Sequence, residues 1–301
     1  MSILKDNVNA GPEGLRNIIK KGYAVAPGVF NGISALLAEQ AGFKALYLSG
    51  SGVAGAMGLP DLSLTSLTEV AEEVRRITMV SKSPLIVDID TGFGEELNVI
   101  RTIRAIEAAG AAAIHMEDQE LPKKCGHLSG KKIIPEEDMA KKIKIAAETK
   151  KDENFMIIAR TDSRAVEGLD GAIRRGKLYI EAGADAVFPE ALESIEEFKL
   201  YAKQVRVPLL ANMTEFGKSP LLSASELGKI GYKIIIFPLT AFRASLLAMG
   251  DAYKSIDDNG TQRGILDQLM TREKFYELIR YKEYELEDQH LYGAKIGTKK
   301  K

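Results

Sequence analysis

The stretch Glu107-Ala108-Ala109-Gly110, followed by Ala113-Ile114-His115-Met116-Glu117-Asp118, decides the fold. A helix-like segment closes on glycine, and a few residues later a short apolar run ends in acid. Glycine tolerates the left-handed conformation that commonly terminates a helix, so Gly110 reads as a C-terminal cap with a short connection to a strand. The run after it is apolar at consecutive rather than alternate positions, as in a strand buried on both faces of a parallel sheet. The unit recurs as Glu39-Gln40-Ala41-Gly42 before Ala45-Leu46-Tyr47-Leu48-Ser49, as Glu181-Ala182-Gly183 before Ala186-Val187-Phe188-Pro189-Glu190, and as Lys229-Ile230-Gly231 before Ile234-Ile235-Ile236-Phe237-Pro238.

Working outward, four further runs have the same character: Ala24-Val25-Ala26-Pro27, Pro84 to Asp90, Phe155 to Arg160, and Pro208 to Asn212. Charged amphipathic stretches separate them, among them Leu67 to Val80, Glu136 to Glu148 and Ile195 to Lys203, which read as outer helices. Alternating strand and helix units in this number predict an α/β fold, a (β/α)8 TIM-type barrel, in one domain over residues 1–301. A doubly wound open sheet is the rival, because the order of elements does not reveal closure. The chain continues well past the last strand, which predicts a C-terminal helical arm at about 245–290 packing on a neighbouring subunit. The lysine-rich end, 295–301, reads as a disordered tail.

Composition excludes several roles. A formal charge of −1 and a pI near 6.4 provide no basic field for nucleic acid. No apolar stretch approaches the roughly 20 residues a bilayer requires, and the first residues lack the form of a signal peptide, so the expected location is the cytoplasm, without membrane association. With 45% hydrophobic residues the chain can bury a large core.

The single cysteine lies in Lys123-Lys124-Cys125-Gly126-His127. Two lysines beside it would favour thiolate over thiol, and the loop reads as carrying a proton-transfer or nucleophilic cysteine. Polar residues that core packing would not select also stand at nearly every strand end: Ser49, Gly50 and Ser51; Asp88 and Asp90; Glu117 and Asp118; Arg160 and Asp162; Glu190; Asn212 and Thr214; and Arg243. Each alone has a structural explanation, as a helix cap or an ion pair, but their convergence marks the catalytic rim of a barrel. Asp88 and Asp90 share one side of a strand, and Glu117 on the next strand brings a third carboxylate. Hard oxygen ligands of this kind suit Mg2+, with Mn2+ as the alternative, and not zinc.

These residues resemble the isocitrate lyase/phosphoenolpyruvate mutase superfamily, and within it the short branch acting on methylisocitrate. The resemblance runs from Pro27-Gly28 to Thr271-Arg272-Glu273-Lys274-Phe275-Tyr276-Glu277. Its carriers are Tyr47-Leu48-Ser49-Gly50, Gly58-Leu59-Pro60-Asp61-Leu62, Asp88 to Gly94, Lys123 to His127, Ile158 to Asp162, Asn212 to Gly217 and Phe237 to Arg243. It implies a barrel whose last helix is exchanged in a homotetramer or homodimer. It also implies Mg2+-dependent cleavage of a small tricarboxylate, 2-methylisocitrate, to pyruvate and succinate, within propionate metabolism and the methylcitrate cycle. Metal binding falls to Asp88, with Asp61, Asp90 and Glu117 acting largely through water. Substrate binding falls to Ser49, Gly50, Ser51, Cys125, Gly126, Arg160, Glu190, Asn212, Met213, Thr214, Arg243 and Arg272. Cys125 is the implied acid that protonates the succinate carbanion, Tyr47 the candidate base, and Lys123 and His127 the groups tuning the thiol. Phe188 and Pro238 read as the apolar wall accepting the substrate methyl. The alternatives are isocitrate as substrate, giving glyoxylate, and a phosphonate- or oxaloacetate-acting enzyme on the same metal site. A non-catalytic metabolite-binding barrel is the remaining reading.

Overall fold

A computed structural model describes residues 9–296, with side chains described through 292. Eight parallel strands follow one another around a single sheet: β1 (Ala24–Val29), β2 (Leu46–Leu48), β3 (Leu85–Asp88), β4 (Ala113–Glu117), β5 (Met156–Thr161), β6 (Ala186–Pro189), β7 (Leu210–Asn212) and β8 (Ile234–Phe237). Their hydrogen-bonded order is β6-β5-β4-β3-β2-β1-β8-β7, and a parallel bridge between Val187 and Leu209 joins β6 to β7. That bridge closes the barrel and removes the open-sheet rival.

Helices intervene as the periodicity predicts. They are α1 (Gly11–Lys21), α2 (Gly32–Gln40), α3 (Gly50–Ala56), α4 (Leu67–Val80), α5 (Glu96–Ala108), α6 (Glu136–Thr149), α7 (Arg164–Glu181), α8 (Ile195–Gln204), α9 (Ala224–Ile230) and α10 (Thr240–Asn259). The start of α4 shows why a helix begins there: Ser66 accepts from the Glu69 N–H while the Glu69 carboxylate returns to the Ser66 N–H. Such a cap contributes about 1 kcal/mol. The four glycines read as helix ends, Gly42, Gly110, Gly183 and Gly231, all have positive φ, from 97° to 120°.

The core has two layers. Ala24, Ala26, Tyr47, Ile86, Ile158, Phe188, Leu210, Ile234 and Ile236 pack inside the barrel. Alternate strand residues such as Leu46, Leu48, Val87, Ile114, Ile157 and Val187 pack outward against the helices. Both faces of each strand are therefore apolar, which is why the runs are continuous in sequence. Beyond β8 the chain forms α10, a 3-10 segment, α11 (Arg272–Leu278) and α12 (Tyr281–Ile296). Much of this arm is exposed, including Leu247, Tyr253, Leu286 and Tyr292. Of the tail at 295–301, residues 297–301 lie outside the described residues.

Candidate active site

Register builds the site. In β3 and β4 Asp88 stands opposite His115, in β4 and β5 Glu117 stands opposite Arg160, and in β5 and β6 Arg160 stands opposite Phe188. Because side chains alternate along a strand, Glu117 points into the barrel mouth and Asp118 points away. Asp118 is spent on structure, accepting from Thr161 Oγ1 at 2.7 Å, the Asp162 N–H at 2.8 Å and Tyr179 Oη at 2.8 Å. Both oxygens of Asp88 are held by backbone: Oδ1 by the Asp90 N–H and Oδ2 by the Gly50 N–H, each at 3.1 Å. A side chain at Gly50 would place Cβ 3.1 Å from Asp90 Oδ1 and 3.2 Å from Asp88 Oδ2. Asp90 itself is a non-glycine residue at φ 49°, a conformation that costs energy and collects at functional sites.

The strand ends enclose a cavity of about 130 Å³ lined by Tyr47, Ser49, Ser51, Asp61, Asp88, Lys123, Cys125, Gly126, His127, Arg160, Glu190, Asn212, Thr214, Pro238 and Arg243, together with Leu239. The sequence reading named all of these except Leu239. Gly50, Asp90 and Glu117 lie at its edge or below, touching lining residues. Phe188 is buried beneath it, edge-on to His115 at 5.4 Å and under the Arg160 guanidinium at 5.2 Å, so it supports the floor and does not line the chamber. Two assigned residues do not line the chamber of their own chain. Met213 packs into the outer core, its N–H donating to Ile236 O and its sulfur accepting from the Leu222 N–H, because an odd position on β7's exit points to the helix layer. Arg272 is exposed at the start of α11 and faces the separate space between α11 and α12, not this chamber.

The cysteine loop is clamped at three points. Lys123 Nζ pairs with Asp61 and lies 2.8 Å from Asp90 Oδ1. His127 Nδ1 accepts from the Lys218 N–H at 2.9 Å, which leaves the ring proton on Nε2, 2.7 Å from Glu190 Oε1. Lys131 Nζ, wholly buried, donates to Gly126 O and to Asp162 Oδ1. Gly126 lies so close to the chamber that a Cβ there would meet Glu190 Cγ at 2.4 Å and Arg160 Nη2 at 2.5 Å.

Electrostatics bear on two expectations. Burial pushes the Cys125 thiol above its ordinary pKa, against the His127 backbone N–H and Arg160. The neighbouring lysine does not favour the thiolate, because Lys123 is engaged with Asp61 and Asp90. Burial also raises the Tyr47 phenol far above its usual value, reinforced by Asp88. Tyr47 shares a 2.8 Å hydrogen bond with His115 Nε2, and its raised pKa opposes the role of base.

The acids are driven apart. Burial raises Glu117 well above the carboxylate range, against the pull of Arg160 and Lys123. For Asp88 burial acts the same way, but Lys123, Arg160 and the Asp90 N–H outweigh it and hold the carboxyl low. Burial also keeps His115 neutral, pushing its pKa down to about 4.

The residues fit a Mg2+ ion that keeps part of its water shell. Glu117 Oε1 is buried without a hydrogen-bond partner, and the carboxylates of Asp61, Asp88 and Asp90 converge on the same corner, where the Lys123 ammonium now balances their charge. Among the described residues no three or more His, Cys, Asp or Glu side chains are arranged to enclose an ion by themselves. Mg2+ is ordinarily bound by one or two carboxylates with several waters, so this donor set suits it better than an ion needing an all-protein cage.

Two contributors went unassigned from the sequence, His115 and Lys131, while Asp162 was placed on the rim without a specific role. His115 had a signal, being a polar residue two positions before Glu117 and so on the same strand face. Lys131 had none, since its role depends on a chain reversal.

Comparison with known proteins agrees with this geometry. Residues 15–257 match the family model described as phosphoenolpyruvate phosphomutase. A 2-methylisocitrate lyase from Aeropyrum pernix is 54% identical over 275 residues, covering 91% of this chain and 89% of the relative. The solved structure of 2,3-dimethylmalate lyase superposes with a TM-score of 0.88 at 33% identity, covering 94% of this chain and 96% of that one. Phosphonopyruvate hydrolase, solved in complex with oxalate and Mg2+, superposes with a TM-score of 0.83 at 31% identity, covering 91% and 96%.

Proposed function

We propose that this chain, which belongs to the phosphoenolpyruvate phosphomutase family, is a carbon–carbon lyase that cleaves 2-methylisocitrate to pyruvate and succinate. The observation that carries the reading is the Cys125 thiol lining a carboxylate-rich chamber together with Asp61, Asp88, Arg160 and Glu190. Cleavage leaves the succinate fragment as a carbanion, and a neutral thiol is the acid that can deliver a proton to it. General acid catalysis of this kind is worth about 10²- to 10⁴-fold.

Arg160 and Arg243 supply the cations for substrate carboxylates. Arg243 is aimed into the chamber by Glu215, through Nη1 contacts of 2.8 Å to the carbonyl and 2.9 Å to Oε2. Arg160 is oriented by Asp162 and Glu117. Ser49, Ser51, Asn212 and Thr214 line the remaining polar wall, and Asn212 Oδ1 is buried without a hydrogen-bond partner. Tyr47 as a neutral phenol fixes His115 and offers a hydrogen bond. Asp88, with Asp61, Asp90 and Glu117 through water, would hold Mg2+. When bound, that ion supplies electrophilic stabilisation of negative charge on substrate oxygen. Pro238 lines the chamber and Phe188 underlies it, an apolar wall that suits the substrate methyl, a preference worth about 1–3 kcal/mol. The exposed apolar residues of α10 to α12 support assembly as a homodimer or homotetramer through this arm. A reduced thiol as acid also fits the cytoplasm. Among the described residues no helix is long and apolar enough to cross a membrane.

The test supplies 2-methylisocitrate and isocitrate side by side with Mg2+, following pyruvate and glyoxylate separately, with an EDTA control. Metal-dependent pyruvate release is expected. Dominant glyoxylate would reassign the substrate, and absence of both products from folded protein would refute the lyase reading.

A further inference from the structure

We propose that Lys131 is a positioning residue that ties the seating of the cysteine loop to the substrate-binding Arg160 through a shared carboxylate, Asp162. The inference rests on the lyase reading for its catalytic consequence, but its structural core does not. Lys131 lies six residues beyond Cys125, outside the chamber, and its ammonium is wholly buried. A buried lysine needs compensation for its lost hydration, and here the compensation is specific. One partner is Gly126 O, the carbonyl next to the reactive cysteine; the other is Asp162 Oδ1 at 2.8 Å.

Asp162 is committed on both oxygens. Oδ2 accepts from Arg160 Nε at 2.9 Å, and Oδ1 is shared between Lys131 and Arg160 Nη2, the latter at 3.2 Å. Its own N–H is anchored on Asp118. One carboxylate thus sets the orientation of Arg160 and, through Lys131, the height at which Gly126 sits above Arg160 and Glu190. The fit there is close enough to exclude any side chain at Gly126. The loop's two ends are held independently, by the bridge between Gln119 and Ile133 and by the bond from the Glu120 N–H to Lys132 O. Lys131 therefore acts on the loop's tip, not on its attachment.

The tip forms part of the chamber wall, through Cys125, Gly126 and His127. The volume of about 130 Å³ is below the roughly 300 Å³ at the lower end of small-molecule sites, so displacement of the tip makes room for a tricarboxylate. Opening separates Gly126 O from Lys131 and leaves the ammonium with Asp162 Oδ1, the oxygen it shares with Arg160 Nη2. A substrate carboxylate on Arg160 changes the same sharing, so loop seating and binding at Arg160 are linked. The coupling is reciprocal by linkage.

The experiment compares wild type with Lys131→Met, which keeps stem length and loses both bonds, and with Lys132→Met, an exposed neighbour. Two readouts are used: the rate at which iodoacetamide alkylates Cys125, with and without succinate, and kcat and KM for 2-methylisocitrate. Loss of charge-assisted bonds to a buried carboxylate should shift loop seating by about ten- to hundredfold. Lys131→Met should therefore alkylate faster by about that factor, lose the protection given by succinate, and show a fall in kcat larger than its change in KM. Lys132→Met should match wild type. Unchanged alkylation with kcat within about twofold of wild type would overturn the proposal, as would a rise in KM alone. If Lys131→Met does not fold, Lys131→Gln, which keeps one donor for Asp162, decides by the same readouts. A wild type inactive on 2-methylisocitrate would refute the lyase reading while leaving the alkylation comparison to judge the coupling.

Discussion

The two ends of the barrel use the same kinds of charged residue to opposite effect. At the N-terminal ends of the strands Asp185 and Glu39 are fully engaged. Asp185 accepts from Arg16 at 2.7 Å, from Lys150 at 3.0 Å and from the Ile157 N–H at 3.0 Å. Glu39 Oε1 accepts from Ser81 Oγ and from the Lys82 and Ser83 N–H groups, each at 2.7 Å. At the C-terminal ends, buried Glu117 Oε1, His115 Nδ1 and Asn212 Oδ1 have no hydrogen-bond partner, and Asp90 has a strained backbone. The lower rim is satisfied and stabilises; the upper rim holds unspent polar groups that only a ligand, metal or water can satisfy. Stability given up at one end for chemistry is the usual relation between scaffold and site.

The contrast is broken most directly at Cys125. Cys125→Ser should reduce turnover by about 10²- to 10⁴-fold while its thermal midpoint matches wild type, as judged by product assay and calorimetry; retained turnover would remove the thiol from the mechanism. Next comes Gly126→Ala, whose added methyl cannot fit beside Arg160 and Glu190. It should cost about 10²-fold in kcat through displacement of the loop, with little change in unfolding. The lower rim should answer in the other way: Asp185→Ala is expected to lose about 1–3 kcal/mol in denaturant unfolding, with kcat of the folded fraction unchanged. A loss of kcat there without a loss of stability would erase the division. The smallest effect is in the pH dependence of Cys125 alkylation. Because burial raises the thiol's pKa, reactive thiolate accumulates only above the ordinary thiol range, so the rate should still climb where a free cysteine peptide has reached its plateau.

Much of this was legible in the chain. The strand runs, the glycine caps and the alignment of polar residues at strand ends are local patterns, set by backbone conformational preference and by a two-residue alternation that needs no knowledge of the partner strand. Leu67 to Val80 was read as a helix and is α4 with those bounds, because its cap and its apolar face are both encoded within it. Positions such as Asp88, Arg160, Glu190 and Asn212 were legible for the same reason: a polar residue ending a buried strand has nowhere else to point. The misjudged residues depend on geometry between segments. Two lysines beside Cys125 looked like activators of a thiolate, yet Lys123 turns to Asp61 and Asp90. Tyr47 was the candidate base, yet it is enclosed with His115.

The sequence by itself determined the barrel's repeating units, the residues available at its rim and the chemical character of the site. Tertiary structure alone decided that the sheet closes, through Val187 and Leu209, and which charge each ionisable group carries. It also decided that, within one chain, the Met213 side chain packs into the outer core while Lys131 reaches back to Gly126. The physical reason is range. Backbone propensity and side-chain alternation act between neighbours in the chain, whereas desolvation and Coulomb interaction depend on distances across space, which exist only once the strands have come together.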